Sequence, residues 1–457
     1  MQSEDIDVDV LVAGAGAAGL AAAIAAADAG ASVVLLEAME TFRTGNNTSM
    51  STSMIPAGGS RWQERQGLVD SPDLLYNDLM TKSKGKADPV VSRALADVAP
   101  TLVAWLADTC KVPLELVTDV WFPGNSQLRH HCVPDRSGRT LHRYLLEAAG
   151  ARPGITLVVP SRVEEVDETE SGLRVTTRRP DGSRDVITVT AVILATNGFG
   201  ADKEMVDRYI PEIADGLYFG GDGSRGDALR IGQELGADSG SLGAYQGHGS
   251  VATPHGVLLT WTTMMNGAIL VNSDGRRFQD ETIGYSESAV NVLSQPGNVA
   301  WAVYDRFVHD KATPFADYAD LCKMDAVRWN DDIPGLAATI GVDVDILMET
   351  MSSVMSYAAT SAGDPFGRIN WAHELEPPYA AVKVTGALFH TQGGLRVNEC
   401  GAVLRRGVPI DGLFAAGGAA VGVSGDSSYG YLSGNGLLSA LGLGYLSGRV
   451  AGSLATH

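Results

Sequence analysis

Cysteine is scarce in this chain. Four occur in 457 residues, Cys110, Cys132, Cys322 and Cys400, far apart and never in a C-x-x-C pair. That excludes a disulfide scaffold, a C-x-x-C-H haem attachment, and iron–sulfur or structural zinc sites built on cysteine spacing. It fits reduced thiols and a cytoplasmic location. Positive charge is short as well: 34 Lys+Arg stand against 54 Asp+Glu, a formal net charge of −20, which repels nucleic acid and anionic lipid. No nucleic-acid partner is expected. Charged residues are 19% and hydrophobic ones 45%, so a disordered chain is excluded too. There is no internal repeat, low-complexity tract or heptad. His130 and His131 precede Cys132, but no carboxylate lies at ligand spacing and no metal is expected.

Glycine, by contrast, is abundant: 54 residues, well above the usual share of about 7%, which implies many tight turns or close backbone approaches to a ligand. The run Val10 to Ala27 is uninterruptedly apolar and as long as a membrane span. Its three glycines and many alanines make it a buried strand, turn and helix instead, and no membrane span is expected. The residues before it, Glu4, Asp5, Asp7 and Asp9, are the opposite of a basic export signal.

Asp7 to Ala13 predicts a strand, Gly14-Ala15-Gly16-Ala17-Ala18-Gly19 a turn opening a helix over Ala17 to Ala29, and Ser32 to Glu37 a second strand. In such a βαβ unit Gly14 permits the sharp turn, Gly16 lets the backbone approach a pyrophosphate, and Gly19 lets helix and strand pack closely. The helix N-terminus attracts the anion, and Glu37 is placed to accept ribose hydroxyls. A dinucleotide site follows, for which the fingerprint alone fits NAD as well as FAD. Helices are predicted over Asp73 to Lys82, Ser92 to Thr109 and Ser224 to Gly236, and strands over Ile155 to Val159 and Gly172 to Thr190 with a turn at Pro180-Asp181-Gly182. The apolar strand Ala191 to Leu194 ends in Ala195-Thr196-Asn197-Gly198, a second point where backbone meets nucleotide. Tyr245 to Ala372 reads as a separate lobe. Thr385 to Leu395 and Leu413 to Ala416 resume the strands, and a helix from Gly434 to Leu454 closes the chain.

Six ordered motifs resemble the flavoprotein family of fumarate reductases, succinate dehydrogenases and 3-ketosteroid dehydrogenases over nearly the whole chain. Thr44-Gly45-Asn46-Asn47-Thr48 resembles G-G-N-[ST], and Ala195-Thr196-Asn197-Gly198-Phe199 resembles A-T-G-G-F. Asn266 to Asn272 with Gly275 to Glu281 resembles G-A-I-L-V-N…G-x-R-F-x-N-E, and His390-Thr391-Gln392-Gly393-Gly394-Leu395 resembles H-T-x-G-G-[VL]. Gly412 to Gly417 and Ser433-Gly434-Asn435-Gly436 resemble G-L-[YF]-A-A-G-E and G-G-N-[AS]. One departure is Gly418, where the family has Glu.

The resemblance implies an α/β fold, a Rossmann-like FAD-binding domain (1–244 and 376–457) with an inserted α+β capping domain (245–375) and substrate between them. It implies bound FAD and assigns cofactor contacts to Gly14, Gly16, Ala17, Ala18, Gly19, Glu37, Ala38, Asn46, Asn47, Thr48, Ser49, Val163, Ala195, Thr196, Asn197, Gly198, Gly417, Gly434, Asn435, Gly436 and Leu437. The N-terminus of the last helix suits the flavin edge where negative charge develops.

Fumarate-reducing members clamp carboxylates with two histidines and an arginine and donate a proton from a second arginine. Here His248 and His390 match the histidines, Tyr431 replaces the clamping arginine, and His309 stands at the proton donor's place with Arg306 a helical turn away. A dicarboxylate loses its bidentate anchor. Gly430-Tyr431-Leu432-Ser433-Gly434 resembles the G-Y-x-S-G of 3-ketosteroid 4-dehydrogenases, in which tyrosine, helped by serine, polarises a ring ketone.

The resemblance therefore implies α,β-dehydrogenation beside a ketone, or its reverse, with hydride passing to or from flavin N5. The base is Tyr285 or His309, with Tyr304 and Tyr429 as further candidates. His248 and His390 also have a reading as core histidines, Ser433 as a helix cap and Tyr431 as a packed aromatic. The alternative substrate is an unsaturated carboxylate. Electrons come from or go to a separate carrier, and oligomeric state is not fixed by the sequence.

Overall fold

A computed structural model describes residues 8–360 and 363–455; Asp7, where the first strand was predicted to start, lies outside them. Val10–Ala13, Val33–Leu36 and Ala191–Leu194 are four-residue strands buried along their whole length. Continuous apolar runs of this kind belong to parallel strands covered on both faces. They form the centre of a six-stranded sheet in the order Ala402–Arg405, Val408–Ala415, Ala191–Leu194, Val10–Ala13, Val33–Leu36, Ile155–Val158. All neighbours are parallel except the 402–405 and 408–415 pair.

From Val10–Ala13 the chain crosses through the helix Ala17–Asp28 to Val33–Leu36 on one side, and Ala191–Leu194 later joins on the other. The first strand is thus the switch point of the sheet, and the crevice beyond the carboxyl ends of its strands is where α/β sheets bind ligands.

The apolar run after Val10 is therefore strand, turn and helix. That helix is alanine-rich for a packing reason. The closing helix Asn435–Ala455 lays Gly444, Gly448 and Gly452 against Ala18, Ala22 and Ala26, so closely that a Cβ on any of the three would run into a backbone oxygen of its alanine partner. Small residues every fourth position let two backbones approach in this way. Pro89–Asp108 is the one helix among the described residues long and apolar enough to cross a membrane. Its Leu95, Leu102 and Leu106 are buried in the core of this unit. Arg162–Thr169, Gly172–Arg178 and Arg184–Val189 form an antiparallel meander, with the turn where Pro180-Asp181-Gly182 predicts it.

Two compact units emerge. One comprises 1–210, 220–245 and 390–457, the other 211–219 and 246–389. The second unit thus takes in 376–389, which the sequence grouped with the first. The reason is the long strand Tyr379–Thr391, which pairs along its length with Val299–Tyr304, Arg328–Asn330 and Leu217–Tyr218 in a seven-stranded sheet. The same pairing draws in 211–219. Helices flank that sheet, and its core gathers Trp261, Met264, Trp301, Tyr304, Tyr318 and Leu347.

Candidate functional site

Four segments of the first unit leave the carboxyl ends of parallel strands: Gly14–Gly19, Glu37–Ala38, Ala195–Gly198 and Ala416–Gly418. At Gly14 φ is +108°, and an added Cβ would strike the carbonyl of Ala195; at Gly19 it would strike the carbonyl of Gly14. Gly16 is different. A Cβ there would meet only Thr48 Oγ1, at 3.6 Å, so its backbone borders open space. The Glu37 carboxylate accepts from Ala15 N (2.9 Å) and Met39 N (2.8 Å), tying the second strand's end to the glycine turn.

Thr48 Oγ1 accepts from Ala17 N at 2.9 Å, satisfying an amide that the helix itself leaves unpaired. Asn46 organises that segment: its side chain donates to Phe42 O and accepts from Ser49 N at 2.9 Å. Asn47 Oδ1 accepts from Gly221 N at 2.6 Å. Three buried polar atoms around the crevice, Asn47 Nδ2, Thr196 Oγ1 and Asn435 Oδ1, have no protein partner. Buried polar atoms are costly unless paired, and these are the donors and acceptors that a polar, hydroxyl-rich nucleotide would satisfy. Ala18 and Leu437 are largely buried. Val163 is buried in the meander, paired with Thr177.

Positions 197 and 418 are neighbours in this region. Asn197 has φ +65°, the left-handed region that favours Gly and tolerates Asn. Its Nδ2 donates to Ser224 Oγ at 2.8 Å and its Oδ1 accepts from Gly198 N at 2.9 Å. A Cβ on Gly418 would lie 2.5 Å from that Oδ1. Backbone closes the same space, since Gly198 N would lie 2.7 Å from that Cβ.

The polar cluster of the first unit lies at the start of the closing helix. Tyr431 is 7% exposed, and its hydroxyl lies 3.5 Å from Gly436 N. The ring of His390 meets it edge-on at 5.6 Å, and His390 Nε2 and Cε1 crowd Gly436, where a Cβ would lie 2.8 Å from each. His390 Nδ1 lies 3.0 Å from Gln392 Nε2. Gln392 Oε1 accepts from Ser424 Oγ (3.1 Å), which accepts from Asn435 Nδ2 (3.0 Å). Desolvation pushes the His390 pKa down to about 4, against a small lift from Thr391 O, so the ring is neutral near pH 7. Ser433 is buried and its carbonyl bonds His130 Nε2 at 3.0 Å. Tyr429 OH turns to Asp426 (3.4 Å).

In the second unit His248 is 4% exposed. Its ring stacks on Tyr285 (4.9 Å) and Phe389 (5.3 Å) and meets Trp261 edge-on (5.6 Å). Its Nδ1 lies 3.1 Å from Ser250 Oγ, whose hydroxyl donates to Leu259 O (2.8 Å). Desolvation drives its pKa to about 3. His309 belongs to a different group: its Nδ1 lies 2.7 Å from Tyr318 OH, itself 3.0 Å from Tyr304 OH, and its ring meets Trp329 edge-on. Arg306 lies over the Trp329 ring. So Tyr285 joins His248, whereas His309 and Tyr304 turn to Tyr318. The reason is local. His309 follows the first turn of Arg306–Ala312, a helix whose Val308 is buried while its other flank meets Ala316–Lys323.

Sequence reading missed Gln392, Ser424, Trp261 and Phe389. Only Gln392 carried a signal, a polar residue at the variable place of the His390 motif.

A family model for the FAD binding domain matches residues 9–437. The chain belongs to this family. FAD is its cofactor, and the chain is an FAD-dependent oxidoreductase acting on CH–CH groups. It is 30% identical over 434 residues to a probable fumarate reductase of Shewanella frigidimarina, covering 93% of this chain and 71% of that one. It is also 30% identical over 363 residues to 4-oxocyclohexanecarboxylate 2-dehydrogenase of Sinomonas cyclohexanicum, covering 70% of this chain and 62% of that one. The crystal structure of 3-ketosteroid-Δ4-(5α)-dehydrogenase from Rhodococcus jostii RHA1, in complex with 4-androstene-3,17-dione, shares the fold, with a TM-score of 0.75, 24% identity, and 98% and 97% of the two chains covered. The glycine turn, Glu37, Thr48 and the three partnerless atoms fit the nucleotide of this family.

Proposed function

We propose that this oxidoreductase removes two hydrogens from adjacent carbons beside a ketone of a cyclic substrate, or adds them back. The observation that carries the reading is Tyr431. It stands where fumarate-reducing members place an arginine, its hydroxyl beside Gly436 N and the neutral His390 ring. Removing a proton α to a carbonyl puts enolate charge on the oxygen, which fixed neutral donors stabilise by a few kcal/mol. When bound, FAD supplies two-electron chemistry, as acceptor or donor of the hydride of the β carbon. Loss of the α proton to a base and of the β hydride leaves the conjugated C=C. We assign the base to Tyr285, since His309 is engaged with Tyr318. The cyclic ketone named in the Sinomonas relative supports this class of substrate.

The second reading, a reductase of an unsaturated carboxylate, has the fumarate reductase relatives and the retained His248 and His390 in its favour. Either needs a separate electron donor or acceptor. With four unpaired thiols, we place the protein in the cytoplasm.

Anaerobic titration of the flavin-loaded protein tests the choice. Saturated cyclic ketones are expected to bleach the visible flavin band. Reoxidation of reduced protein by unsaturated acids alone, with ketones silent in both directions, would overturn the ketone reading.

A further inference from the structure

The side-chain hydrogen bonds that lead to His390 run in one direction. Asn435 Nδ2 can only donate, and it does so to Ser424 Oγ. The Ser424 hydroxyl proton then goes to Gln392 Oε1, which turns Gln392 Nε2 towards His390 Nδ1. An amide nitrogen donates, so at 3.0 Å Nδ1 is its acceptor and the ring proton sits on Nε2; the Thr391 carbonyl, 3.4 Å from the same Nδ1, is the longer contact and goes without that proton. Nε2 is the edge that crowds Gly436, and the Tyr431 hydroxyl is close to the same glycine. The groups in contact with His390 are Tyr431 from the preceding turn, Gly436 from the helix, and Thr391 and Gln392 that follow it in the chain, with Ser424 and Asn435 behind Gln392. Of these only Tyr431 is titratable, and none carries a charge near neutral pH.

We propose that Gln392 is a positioning residue that holds His390 as an Nε2–H donor, so that His390 and Tyr431 together seat one carbonyl oxygen of the substrate. The proposal rests on the ketone reading and sharpens it. Two neutral donors gain most when charge appears on an oxygen that was uncharged in the ground state, which describes a ketone on its way to an enolate. A carboxylate arrives already charged, and in a desolvated seat without a cation it is poorly matched.

The test uses the flavin-loaded protein, 15N-labelled at histidine, as wild type, Gln392→Glu and Gln392→Met. Long-range proton–nitrogen NMR reads the tautomer without any substrate. Wild type is expected to show His390 with a bare Nδ1 and a protonated Nε2. In Gln392→Glu the carboxylate accepts instead, drawing the proton to Nδ1 and raising the ring's pKa. On a cyclic ketone kcat/KM of that variant should then fall by about a hundredfold in alkaline solution. It should recover as pH drops through the raised pKa, where the imidazolium regains Nε2–H; wild type shows no such rise towards acid. Gln392→Met, which can neither donate nor accept strongly, should lose activity without the inverted profile, and retained flavin absorbance shows that the fold survives. A wild-type ring protonated on Nδ1, or a Gln392→Glu profile parallel to wild type, overturns the positioning role. If the NMR result is as expected but no ketone is turned over by wild type, the tautomer stands and the carbonyl seat falls.

Discussion

Asn197 Oδ1 lies 2.5 Å from where a Cβ on Gly418 would be, and the backbone N of Gly198 lies 2.7 Å from the same point. Gly418→Glu alone should therefore overpack this point and cost about 1–3 kcal/mol, seen as a lower Tm and a smaller flavin content after purification. Asn197→Gly combined with Gly418→Glu should recover only part of that loss, because the backbone N of Gly198 would still lie 2.7 Å from the added Cβ. A single Gly418→Glu variant as stable as wild type would show that the two positions are independent.

The glycine turn separates folding from cofactor binding. Gly19→Ala pushes a methyl into the Gly14 carbonyl and should abolish soluble, folded protein. Gly16→Ala meets nothing closer than Thr48 Oγ1 at 3.6 Å, so the chain should fold as judged by circular dichroism while binding FAD more weakly. Full flavin occupancy in Gly16→Ala would remove Gly16 from the pyrophosphate path.

Tyr431→Phe deletes one hydroxyl and little packing. On the ketone reading kcat/KM should drop about 10²–10³-fold, the usual effect of losing a fixed donor at a developing oxyanion, with flavin content unchanged. Tyr285→Phe should slow turnover comparably by removing the proposed base. His309→Gln should stay near wild type, because His309 bonds Tyr318 rather than the His248 cluster. Loss of activity in His309→Gln with Tyr285→Phe active would exchange the two roles.

Stability should depend steeply on pH on the acid side. Desolvation holds His130, His131 and His390 at about 4 and His248 at about 3, all below the usual 6.5 of histidine. Between those limits the unfolded chain takes up protons that the native rings refuse, so the native state loses stability as pH falls below about 6.5. Each ring contributes about 1.4 kcal/mol per pH unit in that window. Thermal unfolding at pH 7 and at pH 5 checks this, and His131→Gln should flatten the slope. A Tm that does not move between the two would contradict the burial of these rings.

How much was legible in the sequence depended on how local the cause was. Val10–Ala13 and Ala191–Leu194 announced themselves as unbroken apolar runs, and the glycine turn closing on Glu37 announced the strand–helix–strand unit, because strand burial and turn geometry are set by neighbours along the chain. The helix Asn435–Ala455 was placed to within a residue for the same reason. The unit boundary was not, since the fate of 376–389 depended on pairing between Tyr379–Thr391 and Val299–Tyr304, and strand pairing at that separation leaves no local mark.

Sequence alone thus determined the family and the cofactor, since both are written in ordered motifs, and by resemblance it singled out Tyr431. Tertiary structure alone decided that Asn197 and Gly198 crowd Gly418, that His309 turns to Tyr318, and that Gln392 reaches His390. Those outcomes depend on which side chains from distant segments share a few ångströms, and desolvation and hydrogen-bond direction act only once they do.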